Sequence, residues 1–171
     1  MNILFAIASF LSLSFYSNII PSENTLLINS EIKCVYNYPY STNDRLYLIE
    51  ITLTNNSDSD ISFLTHSCTT DENVVTDPNN VIVIGKNCAS NSNTTVTLKS
   101  KQVFRLVTIL KCVTYVPNYL RIGWVLLNHE NTQSAFDYLP MLQKSKEKLE
   151  NIIWAPIIEL NCCIAHPYEI K

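Results

Sequence analysis

The chain has 171 residues, the size of one ordinary domain or of one domain with a short targeting segment. Hydrophobic residues at 47% supply a core, 16% charge is too little for a disordered tail, and a net charge of −3 argues against a uniformly basic nucleic-acid binder. Two glycines, Gly85 and Gly123, are too few for a phosphate-cradling loop or a dinucleotide fingerprint, and the nucleophile elbow G-x-S-x-G is absent.

The apolar run 3–16 is too short for a membrane-spanning helix and suits the core of an export signal. Residues 1–18 are read as that signal, with Ser12, Ser14 and Ser17 as the small residues a cleavage site would use. With no second long apolar run, no membrane span is expected, and the protein is expected to be secreted or periplasmic.

Residues 26–171 then read as one β-sandwich domain. Segment 26–38 is a first strand, with Ile32, Cys34 and Tyr36 assigned to one face. In 45–54, Tyr47, Ile49, Ile51 and Leu53 alternate with Glu50, Thr52 and Thr54, the pattern of a half-buried strand. A turn of Asn, Ser and Asp follows, whose side chains bond their own backbone. Strands are predicted at 61–67, 81–85, 94–99, 103–112, 119–128 and 157–163, with Gly123 marking a bulge or a close backbone approach. The spacing of Leu142, Leu149, Ile152 and Ile153 predicts one short helix over 140–151, Pro140 suiting its first turn. Seven to eight short strands separated by polar turns give an all-β, antiparallel sandwich. Asn55-Asn56-Ser57 and Asn93-Thr94-Thr95 fit the N-glycosylation pattern.

Six cysteines lie beyond the predicted signal: Cys34, Cys68, Cys88, Cys112, Cys162 and Cys163. An even number behind an export signal reads as oxidised, with fifteen pairings open. Cys68 and Cys88 flank a polar, turn-rich stretch and are the first choice of pair. Adjacent Cys162 and Cys163 would point to opposite faces of a strand.

His66 and Cys68, two apart on a strand, would share a face, with Asp71 and Glu72 near enough in sequence to complete a metal shell. Tyr36, Tyr38 and Tyr40 would share one side of an extended chain and could present a binding face. His129-Glu130, and Cys162 or Cys163 with His166, lack the partners that acid–base or copper chemistry needs.

The segments Leu53-Thr54-Asn55-Asn56-Ser57, Ser67-Cys68-Thr69, Cys88, Leu98-Lys99, Ile122-Gly123-Trp124 and Ile153-Trp154 carry a resemblance over about three fifths of the chain. Together they resemble a loose family of uncharacterised, secreted, immunoglobulin-like proteins of Gram-negative bacteria. The resemblance implies an immunoglobulin-like sandwich in which a strand ends in Asn-Asn-Ser and a cysteine follows the next strand. An aromatic residue often follows that cysteine in such proteins, where this chain has Thr69-Thr70.

The reading is therefore an exported, non-enzymatic binding module whose partner is another protein or a cell-surface component, with no catalytic residue, cofactor or nucleic acid expected. One alternative is a metal-binding protein using His66 with Cys68 or the nearby carboxylates. The other is a thiol-redox protein using Cys162 and Cys163.

Overall fold

A computed structural model describes residues 25–37, 45–85, 88–128 and 137–160. In chain order the strands are β1 (Leu26–Asn37), β2 (Arg45–Asn55), β3 (Ile61–His66), β4 (Val74–Asp77), β5 (Val81–Ile84), β6 (Asn93–Leu98), β7 (Val103–Cys112), β8 (Tyr119–Val125), β9 (Ile152–Trp154) and β10 (Ile158–Glu159). A 3-10 turn, Thr70–Asn73, precedes β4, and one helix, α1 (Tyr138–Lys148), precedes β9. The described residues are antiparallel β apart from these two helical pieces, as expected of an all-β chain. No helix among the described residues is long and apolar enough to cross a membrane.

Four strands form the largest sheet in the order β1-β2-β7-β5. The alternation in β2 dictates its faces, because successive side chains in a strand point opposite ways. Tyr47, Ile49, Ile51 and Leu53 are buried, and Leu46, Leu48, Glu50 and Thr52 look outward. A second sheet is built on β8, with β4 along one edge and β9 and β10 along the other. β3 and β6 form a separate pair in the register Ile61↔Leu98 to His66↔Asn93. All three sheets feed one continuous core, including Ile49, Ile51, Phe63, Leu110, Leu120, Ile122 and Trp124. Phe63, Phe104 and Trp124, one from each of β3, β7 and β8, pack edge to face with ring centroids 5.7 to 6.0 Å apart.

Three expectations need correction. β1 carries a bulge between Ile32 and Cys34, where Lys33 is the extra residue. Ile32 pairs with buried Ile49, whereas Cys34 and Tyr36 pair with Leu48 and Leu46 on the outer face. Ile32, Cys34 and Tyr36 therefore do not share a side. The strand number also exceeds seven to eight, because β4 and β9 were not anticipated. β4 is four residues hidden in a polar stretch, and β9 takes Ile152 and Ile153, which the helical spacing had claimed. Finally, α1 runs 138–148 rather than 140–151. Leu149 and Asn151 adopt left-handed φ of 56°, and the Glu150 N–H donates back to Ser145 O at 3.0 Å, which closes the helix. Of the strand predicted at 157–163, residues 157–160 are described, and within them the strand is Ile158–Glu159.

Gly123 answers to a close approach and not to a bulge. A Cβ there would lie 2.5 Å from Ile152 Cγ2, 2.8 Å from Val75 Cγ1 and 2.9 Å from Trp154 Cε3. Gly123→Ala is expected to cost about 1–3 kcal/mol by overpacking. Urea unfolding checks this: an unchanged midpoint would show that β4 and β9 yield without cost.

Asn55 ends β2 and is fully buried. Its amide nitrogen donates to the carbonyls of Ser59 (2.8 Å), Leu98 (2.9 Å) and Lys99 (3.2 Å). Its Oδ1 accepts from the Ser57 N–H (2.9 Å) and hydroxyl (2.7 Å). This Asx-type turn locks the β2–β3 connection to the end of β6, and it leaves the folded Asn55 amide no opening for a glycan.

Candidate functional site

Two places gather the residues that the sequence singles out: a buried polar cluster around His66, and the outer face of the β1-β2-β7-β5 sheet.

His66 is the last residue of β3 and is buried. Its Nδ1 lies 2.6 Å from Glu72 Oε2, a carboxylate that accepts, which places the proton on Nδ1. The Thr69 hydroxyl lies 3.4 Å from the same nitrogen, and the Tyr138 ring packs at 4.5 Å between centroids. Tyr138 OH donates to Asn73 Oδ1 at 2.6 Å, and Asn73 Nδ2 donates to the carbonyls of Leu64 (3.1 Å) and Val125 (2.9 Å). Asp71, also buried, accepts from the Thr108 hydroxyl at 3.4 Å through Oδ2.

The 3-10 turn thus feeds Asp71, Glu72 and Asn73 into the junction of β3, β7, β8 and α1. Such groups bond one another because burial without a partner is costly. The arrangement fixes α1 to the sheets. Among the described residues no group of three or more His, Cys, Asp or Glu is arranged to hold a metal ion.

Burial raises the Tyr138 phenol far above its ordinary pKa, and the Glu72 charge adds to the effect. Burial likewise pushes Tyr47 up to about 12. Burial lowers the Lys146 ammonium, while Glu72 and Asp71 pull it the other way. A raised folded-state pKa means the fold keeps protons that the unfolded chain loses. The tyrosine contribution is therefore complete below about pH 10, the unfolded tyrosine value, and is lost as pH climbs toward 12. Lys146 acts oppositely, but only up to its unfolded value of 10.5. Unfolding free energies from urea titrations are expected to show no fall up to about pH 10 and then to fall, by up to about 1.4 kcal/mol per pH unit for each buried tyrosine. Equal free energies at pH 9 and pH 12 would contradict this.

The cysteines separate by position. Cys68 and Cys88 are bonded, with Cα atoms 6.3 Å apart. That bond occupies the sulfur that a His66–Cys68 metal site would need as thiolate. Cys112 is buried at the end of β7, and Cys34 is half-buried on the outer face of β1, outside any disulfide. Cys162, Cys163, Tyr38, Tyr40, His129 and His166 lie outside the described residues.

The outer face of the large sheet divides in two. The register sets Tyr36, Leu46, Lys111 and Ile82 abreast, and Cys34, Leu48, Ile109 and Ile84 abreast in the next row. Glu31, Glu50 and Val107 form the third row, and beyond it run Asn29, Thr52 and Arg105. The second row is therefore apolar across four strands, the first is apolar but for Lys111, and Val107 extends the apolar surface along β7. Ile82 is 46% exposed, Ile84 40%, Val107 48% and Ile109 40%. Tyr36, Leu46, Leu48 and Ile109 line an open groove of about 320 Å³ on it. Lys33, the bulge residue, bonds Glu31 at 2.7 Å and Glu50 at 3.5 Å, marking the polar boundary.

Sequence reasoning found Tyr36 but missed Ile82, Ile84, Val107 and Ile109. A usable signal was present. In 81–84 every residue is apolar, more than a strand with one wet face requires. No family model matches the chain, and neither a curated protein nor a solved structure matches it.

Proposed function

We propose that this chain is an exported, immunoglobulin-like β-sandwich that works as a non-enzymatic binding module, and that it binds through the apolar half of the outer β1-β2-β7-β5 face. The observation that carries the reading is the exposure of Ile82, Ile84, Val107 and Ile109 in adjoining register rows on one sheet face. Isolated surface apolar residues need no explanation, but contiguous ones rimmed by polar residues mark interaction sites. The partner is a protein or a cell-surface component that offers an apolar surface. The signal-like residues 1–18, the Cys68–Cys88 bond and the resemblance to secreted immunoglobulin-like proteins support export and the sandwich.

Photo-crosslinking tests the surface. A photoreactive residue at Ile109 is compared with one at Arg105, on the same strand and face but in the polar half. In the compartment to which the protein is exported, adducts are expected from position 109 and few from 105. Equal yields, or none from 109, would remove this face from the reading.

A further inference from the structure

We infer that the occupant of this face is a second copy of the same chain, packed face to face about a twofold axis; this rests on the binding face proposed above. The inference comes from where the charges stand on the patch. Glu50 on β2 and Lys111 on β7, the two central strands, stand diagonally across from each other, and the pair Leu48 and Ile109 lies between them. The midpoint of the Glu50–Lys111 diagonal is also the midpoint of Leu48 and Ile109.

A twofold axis lying in the interface, at right angles to that diagonal, carries each charged position onto the other. Glu50 of each copy then faces Lys111 of the other, twice. Leu48 and Ile109 come close to their own counterparts, and Val107 meets Ile82 and Ile84 of the second copy. An isologous interface requires this self-complementarity of one patch, and opposite charges placed symmetrically across an apolar centre supply it. Lys33 stays with Glu31 and Glu50 at the rim of the patch.

Four strands about 4.8 Å apart and three side-chain rows about 7 Å apart give a footprint of roughly 400 Å² per copy. That lies below the area of permanently associated dimers, so the association is weak and concentration-dependent.

Sedimentation velocity over a concentration series tests it, with Glu50→Lys, Lys111→Glu, the double variant carrying both, and Ile84→Lys. Circular dichroism and the monomer sedimentation coefficient report whether each variant is folded. The wild type is expected to dimerise as concentration rises. Each single charge reversal is expected to weaken dimerisation about tenfold or more, because one substitution creates two like-charge contacts. The double variant is expected to return to near wild-type affinity, and Ile84→Lys, with no charge partner to restore, to stay weak. A wild type that remains monomeric at every concentration, or a dimer indifferent to the single reversals, overturns the inference. Crosslinks from Ile109 to another protein, with a monomeric wild type, would overturn the second copy while leaving the binding face standing.

Discussion

Trp124→Ala is expected to lower the stability of the fold by about 3–5 kcal/mol, the cost of removing a large aromatic side chain from a close-packed core. The indole is fully buried and is the ring at which β8 meets both β3 and β7. It stands 5.7 Å from Phe63 and 5.9 Å from Phe104, both edge to face, and those two rings also touch each other. Removing it opens a void bordered by three separate sheets, which cannot all close around it. Since domains of this size are stable by about 5–15 kcal/mol, the loss is a large share of the total. Trp124→Phe is expected to cost much less. The Trp124 Nε1–H is buried without a hydrogen-bond partner, so phenylalanine keeps a ring and removes an unsatisfied donor. Urea unfolding followed by circular dichroism separates the two variants. A loss below about 1 kcal/mol for Trp124→Ala would mean that the three sheets do not depend on this ring.

Replacing both Cys68 and Cys88 by serine is expected to cost about 3 kcal/mol, the chain-entropy value for a closed loop of about twenty residues. The position of the bond explains why this matters here. Cys68 follows β3 and Cys88 precedes β6, so the disulfide sits at the end of the β3–β6 pair beyond His66↔Asn93. Backbone and side-chain bonds reinforce that end. The Ser67 N–H donates to Ser92 O at 2.9 Å, the Cys68 N–H donates to Asn91 Oδ1 at 3.1 Å, and Asn91 Nδ2 donates to the Thr69 hydroxyl. Between the two cysteines lie β4, which joins β8, and β5, which joins β7. The bond therefore closes a loop whose two strands go to different sheets. Denaturant midpoints with and without reductant measure the effect on the unaltered protein. The double serine variant should match the reduced protein and be insensitive to reductant; a midpoint equal to the oxidised wild type would contradict this account.

The strands legible in the sequence were those with one wet face. In β2 and β7 the alternation shows where the outer side chains are polar, at Glu50, Thr52, Thr54 and Arg105, and lapses at Leu46, Leu48, Val107 and Ile109, which make the apolar outer half. β3 and β8 are covered on both faces near Leu64, Val125 and Leu127, where Tyr138 and Leu142 of α1 pack. Their alternation weakens accordingly. β4 and β9 were invisible because three or four residues cannot display a period, and their pairing is decided by β8.

The bulge at Lys33 was unreadable for a different reason. A single extra residue leaves no mark in composition, yet it sends Cys34 and Tyr36 to the outer face. That one residue separates a tyrosine facing the core from a tyrosine lining the groove. The His66 cluster was read from local spacing as a possible metal shell. Glu72, one of the residues so named, does bond His66, but Tyr138 and Thr108, which complete the cluster, lie far along the chain and were beyond any local pattern.

The central claim is that the apolar half of the outer sheet face is open in the isolated chain and covered on association. Cys34 reports on it directly, since it lies abreast of Leu48, Ile109 and Ile84 and outside any disulfide. Alkylation of the native protein, read by intact mass over a range of protein concentrations, is the decisive measurement. The account predicts that Cys34 labels in dilute solution, that Cys68 and Cys88 do not label until reduced, and that Cys34 labelling slows as concentration rises. A Cys34 thiol inert at every concentration would mean the face is never open, and a labelling rate independent of concentration would mean no second copy covers it.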